Sequence, residues 1–154
     1  MSSKSLYIVI PCYNEQDSIV RVIDNLKNNA PHVDYLIIND CSTDNTEKIL
    51  KANGYNYINN PINLGIGGGV QTGYQYALEN GYDIAIQFDG DGQHMAEYLH
   101  DLMAPIERGE ANVTIGSRFI KKEGFQSSAL RRFGIVFLSR LIKMLCGVRV
   151  HDVT

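Results

Sequence analysis

Apolar residues along this chain fall into short blocks that switch between two periods. Leu6-Tyr7-Ile8-Val9-Ile10 is a continuous apolar run ended by Pro11, which predicts a buried strand. From Asp17 to Asn28 the apolar positions Ile19, Val20, Ile23 and Leu26 recur at helical spacing. Tyr35-Leu36-Ile37-Ile38 predicts a second strand, and Ser42-Thr43-Asp44 opens a helix that runs through Ile49 and Leu50. A third strand follows from Tyr55 to Ile58, then a helix from Gly68 to Leu78, a strand from Ile84 to Phe88 and a helix from Tyr98 to Ile106. Val113-Thr114-Ile115 predicts a fifth strand. Strands alternating with helices in this way imply an α/β fold, a mostly parallel sheet flanked by helices. With no linker, repeat or low-complexity tract, residues 1–154 are read as one domain.

Open sheets of this kind bind ligands beyond the carboxyl ends of their strands, and the unusual polar residues of this chain sit there. Pro11-Cys12-Tyr13-Asn14-Glu15 follows the first strand, Asn39-Asp40-Cys41-Ser42-Thr43-Asp44 the second, Asp89-Gly90-Asp91 the fourth and Gly116-Ser117-Arg118 the fifth. Helix capping accounts for Asn14 or Ser42, and acidic Glu15 and Asp44 suit helix starts. Capping does not need Asp40, Asp89 and Asp91 together. Asp89 and Asp91 crowd one strand end, where a divalent cation, Mg²⁺ or Mn²⁺, relieves their repulsion and commonly shares its site with substrate phosphates. An ordinary Asp-Gly surface turn is the alternative reading.

Two phosphate-binding classes are excluded. There is no G-x-x-x-x-G-K-[ST], and the first strand-to-helix turn lacks G-x-G-x-x-G. The glycines of Asn63-Leu64-Gly65-Ile66-Gly67-Gly68-Gly69 fit either close packing or ligand contact.

Charge changes the picture further. The net charge of −3 conceals a split: residues 1–117 carry 6 Lys/Arg against 15 Asp/Glu, and residues 118–154 carry 8 against 2. The basic end is expected to meet something anionic, with phosphate groups or a membrane surface favoured over nucleic acid, for which no motif is present. From Leu130 to Cys146, Arg132, Ser139, Arg140 and Lys143 fall on one side of a helical wheel and Phe133, Phe137, Leu138, Leu141, Met144 and Leu145 on the other. That pattern fits an interfacial helix or an ordinary surface helix. Arg131 falls on the apolar side, where a charge needs an anionic partner. No apolar stretch reaches the roughly 18 residues of a membrane span. Cys12, Cys41 and Cys146 lack C-x-x-C spacing, so a reduced, cytoplasmic setting is expected, with no zinc site and all three read as small buried hydrophobes.

Taken in order and spacing, Ile10-Pro11-Cys12-Tyr13-Asn14-Glu15, Asp40-Cys41-Ser42-Thr43-Asp44, Asn63-Leu64-Gly65, Asp89-Gly90-Asp91 and Gly116-Ser117-Arg118 resemble the family 2 glycosyltransferases over nearly the whole chain. Asp91-Gly92-Gln93-His94 and Gly116-Ser117-Arg118-Phe119 look most like the dolichyl-phosphate mannosyltransferase and bactoprenol glucosyltransferase branch. One departure is Asn39, which stands where the family has the first Asp of an acidic pair, so Asp40 is the safer functional carboxylate.

The resemblance implies the GT-A fold, a Rossmann-like sheet, and an inverting, metal-dependent transfer of sugar from a UDP- or GDP-linked donor. The implied acceptor is a polyprenyl phosphate or a cell-envelope glycan. It implies Asp89, Asp91 and Gln93 as ligands of Mg²⁺ or Mn²⁺, with Pro11, Tyr13, Glu15, Asp40 and Asp89 binding the donor and Asp40 accepting from the base. Asp89, Asp91 and Arg118 are the implied catalytic residues, and Arg118, Arg131 and Arg132 would take the acceptor phosphate, since guanidinium matches phosphate bidentately. Val150-His151-Asp152-Val153-Thr154 matches the start of a family segment that continues further, so the acceptor side is expected to be incomplete. The expected location is cytoplasmic, peripheral at the inner membrane face. The alternative reading is a nucleotide-sugar-binding domain without turnover.

Overall fold

The computed structural model describes residues 5–116 together with Arg140 and Met144, both helical and exposed. Four parallel strands form the sheet: β1 (Leu6–Cys12), β2 (Asp34–Asn39), β3 (Tyr57–Asn59) and β4 (Ile84–Gln87), in the order β3-β2-β1-β4. Helices α1 (Ile19–Asn29), α2 (Thr46–Ala52), α3 (Gly65–Glu79) and α4 (Leu99–Glu107) connect or follow them, and a 3₁₀ turn at Ala96–Tyr98 leads into α4. The order reverses between β1 and β4, so the crevice at their carboxyl ends is the switch point where open sheets accept ligands.

Alternation along β1 divides the core. Ile8, Ile10 and Cys12 face one layer with Ile19, Ile23 and Leu26 of α1 and Leu99 of α4. Tyr7 and Val9 face the other with Leu36, Ile38 and Ala77 of α3. β1 is buried on both sides, as its unbroken apolar run requires. Tyr7 stacks between Tyr82 and Tyr76, at ring-centroid distances of 4.3 and 5.6 Å. Burial, reinforced by the neighbouring Tyr76, raises the Tyr7 phenol above its ordinary pKa.

Several boundaries depart from the sequence pattern. β1 runs through Pro11 to Cys12 rather than stopping at Ile10. The Val9 carbonyl accepts from Phe88 beyond β4 and the Cys12 carbonyl accepts from Asp40 beyond β2. Alternation therefore turns Pro11 toward β4, which has already ended, and its missing N–H costs no ladder bond. α1 begins at Ile19 and α2 at Thr46, because the polar residues ahead of each are spent on loop contacts. β3 is only Tyr57–Asn59. α3 begins at Gly65, three residues before the predicted start. Its glycines let it lie close to the sheet: a Cβ on Gly73 would fall 2.1 Å from Cγ1 of Val9.

The predicted strand at Val113-Thr114-Ile115 does not form. Thr114 Oγ1 donates to the Leu102 carbonyl of α4 at 2.7 Å, and Val113 and Ile115 are exposed. So short an apolar alternation makes a strand only where a ladder partner claims its backbone, and here the helix claims the segment. Among the described residues, no helix is long and apolar enough to cross a membrane.

Candidate functional site

Three loops leave the carboxyl ends of β1, β2 and β4, and side chains knit them into one rim. Asn14, after β1, adopts a left-handed backbone with φ of 56°. Its Oδ1 accepts from the Thr43 N–H at 2.8 Å, the Thr43 hydroxyl at 3.3 Å and the Asp44 N–H at 3.3 Å, all in the loop after β2. The return contacts are equally direct: Asn14 N–H donates to Ser42 Oγ, Glu15 N–H to Thr46 Oγ1 and Gln16 N–H to Asp44 Oδ2. Asn14 and Ser42 therefore join two loops rather than capping helices of their own. Asp44 does serve α2, accepting the Thr46 N–H at 2.9 Å. Burial works against its charge, but hydrogen bonds from Thr46 and Gln16 hold its carboxyl below the ordinary range.

At the end of β2, Asn39 and Asp40 are buried and hydrogen-bonded. Asn39 Nδ2 donates to Asn59 Oδ1 at 2.8 Å while its Oδ1 accepts the Ser42 hydroxyl at 2.5 Å, a donor-and-acceptor role suited to an amide. The Asp40 carboxylate accepts from Asn60 Nδ2 at 2.8 Å and from the Leu64 N–H at 2.9 Å, just ahead of α3. Asn63 Nδ2 donates to the Asp40 carbonyl and Asn63 Oδ1 accepts the Gly65 N–H. The Asn63-Leu64-Gly65 signature is thus the anchor of the Asp40 loop. Cys41, next in line, has φ of 61° and is exposed, contrary to the expectation of a buried thiol: it occupies the left-handed apex of the turn. Cys12 is buried as expected, and burial, with Glu15 and Asp44 nearby, pushes its thiol up to about 12, which leaves it inert.

The acidic turn after β4 lies across the switch point. A Cβ on Gly90 would fall 3.1 Å from the Pro11 carbonyl oxygen and 3.6 Å from Glu15 Cγ, so the turn rests closely on the β1 loop there. Gly92 supplies a left-handed φ of 81°. Asp89 Oδ1 accepts from Gln87 Nε2 at 2.8 Å, and Asp91 Oδ1 accepts the Gln93 N–H at 2.8 Å. His94 folds back: its Nδ1 accepts the Asp89 N–H at 3.0 Å, its Nε2 stands 3.7 Å from Asp89 Oδ2, and its ring meets Phe88 edge-on at 5.6 Å.

Of the residues singled out from the sequence, Pro11, Glu15, Asp40, Asp89, Asp91 and Gln93 come together along this rim. Tyr13 is half exposed at its mouth. The Glu15 carboxylate accepts from the Ser18 hydroxyl. Arg118, Arg131 and Arg132 lie outside the described residues. The pattern did not reveal the bridging role of Asn14, the clasp of His94 on Asp89, or the Gln87 contact. The Asn14 bridge joins residues 29 apart, whereas the His94 and Gln87 contacts lie within one turn and depend on side-chain directions that spacing does not give; only the Gln93-His94 pair carried a sequence signal. Tyr74 of α3 approaches the same strand end, where burial raises its phenol above the ordinary pKa, and the negative charge of Asp89 adds to that. A groove of about 460 Å³ lined by His32, Asp34, Tyr82, Glu97 and His100 lies at the opposite, amino end of the sheet.

The rim segments 11–18, 39–45 and 88–95 contain Glu15, Asp17, Asp40, Asp44, Asp89 and Asp91 and no Lys or Arg. A diphosphate placed against them needs a cation to offset the repulsion. The chemistry of the donor set fits one: Asp89 and Asp91 offer the hard carboxylate oxygens such an ion takes, and the backbone N–H of Gln93 is held on Asp91 Oδ1. Among the described residues no group of three His, Cys, Asp or Glu side chains could hold a metal ion by itself.

The family model described as "Glycosyl transferase family 2" matches residues 7–151. A UDP-N-acetylglucosamine–dolichyl-phosphate N-acetylglucosaminyltransferase of Methanococcus voltae is 34% identical over 170 residues, covering 99% of this chain and 67% of that protein. A polyprenol monophosphomannose synthase of Mycolicibacterium smegmatis is 25% identical over 154 residues, covering 96% of this chain and 58% of that protein. Glucosyl-3-phosphoglycerate synthase from Mycobacterium tuberculosis, solved with Mn²⁺, UDP-glucose and phosphoglyceric acid, superposes with a TM-score of 0.57 at 23% identity, over 70% of this chain and 41% of that one. The structural likeness establishes the GT-A fold. The chain spans 58% to 67% of the length of the two curated relatives.

Proposed function

The chain belongs to glycosyl transferase family 2, and from that membership we propose that it moves a sugar from a nucleotide-sugar donor to a polyprenyl phosphate. The reaction is a single displacement: an acceptor phosphate oxygen attacks the anomeric carbon as the bond to the nucleoside diphosphate breaks, with inversion. The observation that carries this reading is the seating of the Asp89-Gly90-Asp91 turn on the Pro11 carbonyl at the β1/β4 switch point.

Asp40 faces the base end of the donor. A carboxylate offers about four acceptor positions, and the contacts to Asn60 and Leu64 fix its orientation while leaving Oδ2 capacity for a base N–H. Pro11, Tyr13 and Glu15 line the same pocket, with Tyr13 as its exposed wall. Asp89, Asp91 and Gln93 would hold Mg²⁺ or Mn²⁺, which when bound offsets the charge developing on the leaving diphosphate. A phosphate monoester is already largely ionised near neutral pH, so it needs positioning rather than a general base. Arg118, Arg131 and Arg132 are assigned that task on sequence grounds. The names of the two transferase relatives support a lipid-phosphate acceptor, and with it turnover at a membrane surface.

The test is a thermal-shift panel of UDP-, GDP- and dTDP-sugars with and without Mn²⁺, followed by transfer of the stabilising sugar to a short-chain polyprenyl phosphate or to a free glycan. Stabilisation by one nucleotide family with Mn²⁺, and transfer to the lipid phosphate, is the expected result. No stabilisation by any nucleotide sugar would reject the reading, and transfer to the glycan alone would reject the acceptor.

A further inference from the structure

Resting on that reading of the rim, we propose that His94 is a positioning residue: it clasps the Asp89 backbone through Nδ1 and thereby sets the direction in which the Asp89 carboxylate meets the cation and diphosphate. Neither the family match nor the relatives assign His94 a role. Three contacts define the clasp. Nδ1 accepts the Asp89 N–H at 3.0 Å across a five-residue turn, the ring packs edge-on against Phe88 at 5.6 Å, and Nε2 faces Asp89 Oδ2 from 3.7 Å. An imidazole nitrogen that accepts carries no proton, so the ring N–H resides on Nε2, the atom turned toward the carboxylate.

The clasp matters because few contacts restrain this turn. β4 ends at Gln87, and the last ladder bond on this side is Phe88 N–H to the Val9 carbonyl. Asp89, Gly90 and Asp91 leave the sheet held by the Gly90 contact on Pro11, the Gln93 N–H on Asp91 Oδ1, the Gln87 amide on Asp89 Oδ1 and His94, and of these His94 alone takes the Asp89 N–H. Phe88 is buried, so it fixes the ring and the ring fixes the backbone of Asp89. Gln87 restrains one carboxylate oxygen and leaves Oδ2 on the side His94 faces. Groups that orient a ligand without being one commonly govern metal affinity about 10- to 100-fold.

His94→Ala, His94→Asn and His94→Gln separate the contacts. An Asn side chain reaches the Nδ1 position and restores an acceptor for the Asp89 N–H; Gln reaches toward Nε2 and does not. Mn²⁺ binding to the full chain, saturated with whichever of UDP, GDP and dTDP stabilises it, is read from the paramagnetic resonance signal of free Mn²⁺, with folding followed by circular dichroism. Expected is a weakening of about tenfold or more in His94→Ala and His94→Gln, with His94→Asn within about threefold of the parent chain. Unchanged Mn²⁺ affinity in folded His94→Ala overturns the proposal. So does retention by His94→Gln with loss in His94→Asn, which would make Nε2 a direct ligand. If His94→Ala does not fold, the Asn and Gln variants decide the matter alone. Failure of the parent chain to bind Mn²⁺ with any of UDP, GDP and dTDP overturns the functional reading instead.

Discussion

Asn14 Oδ1 accepts the backbone N–H of Thr43 at 2.8 Å, so a residue after the first strand fixes a loop after the second, 29 positions along the chain. The same oxygen takes the Thr43 hydroxyl and the Asp44 N–H, and the left-handed backbone of Asn14 aims it there. Asn14→Ala loses these bonds and strains the backbone, and is expected to destabilise the chain by about 2–3 kcal/mol in urea unfolding. Asn14→Gly loses the bonds alone and should be less damaging by about 1 kcal/mol. Equal stabilities of the two variants would show that the backbone conformation carries no cost.

Much of this arrangement was legible in the sequence. Ile8, Ile10, Ile37 and Ile38 are buried because apolar runs of that length have only a two-sided sheet interior to fill, and the polar residues at their ends had to gather on one rim. The acidic turn at Asp89-Gly90-Asp91 was readable because its glycines and carboxylates break off an apolar run, whereas the hold of buried Asp40 on Asn60 and Leu64 was not. The close approach of Gly73 to Val9 was hidden, since glycine-rich sequence does not say what its missing side chains make room for. The span 113–115 was misread because an isolated triplet has no strand identity without a partner. The joining role of Asn14 depends on a contact between two loops, and the clasp of His94 on a ring direction within one turn, neither of which local spacing encodes.

Cys41 holds a φ of 61° on the exposed apex of its turn. Glycine adopts that conformation without the penalty of a Cβ, while adding freedom to the unfolded chain. Cys41→Gly is therefore expected to stabilise the protein by about 0.5–1 kcal/mol, measured by urea unfolding under reducing conditions. Destabilisation of that size would mean the thiol makes a contact that its exposure does not reveal.

Asp44 gives the rim an acid dependence of definite sign. Its folded carboxyl lies below the ordinary value of 3.8, so its stabilising contribution is complete above that value and is lost as pH falls through the lower folded pKa. Asp44→Ala should cost about 1–2 kcal/mol at neutral pH through the lost Thr46 and Gln16 contacts. The gap between the variant and the parent chain should narrow in unfolding curves taken below about pH 4. A gap that widens with acid would contradict the assignment.

The central claim is that the β1/β4 rim holds a donor diphosphate through a cation bound by Asp89 and Asp91. Calorimetric titration of UDP into the full chain, in Mn²⁺ and then in excess EDTA, with Asp91→Asn measured beside the parent, tests it most directly. Loss of at least about tenfold in UDP affinity on chelation, reproduced in Mn²⁺ by folded Asp91→Asn, is predicted. Equal UDP affinity in Mn²⁺ and EDTA would contradict it.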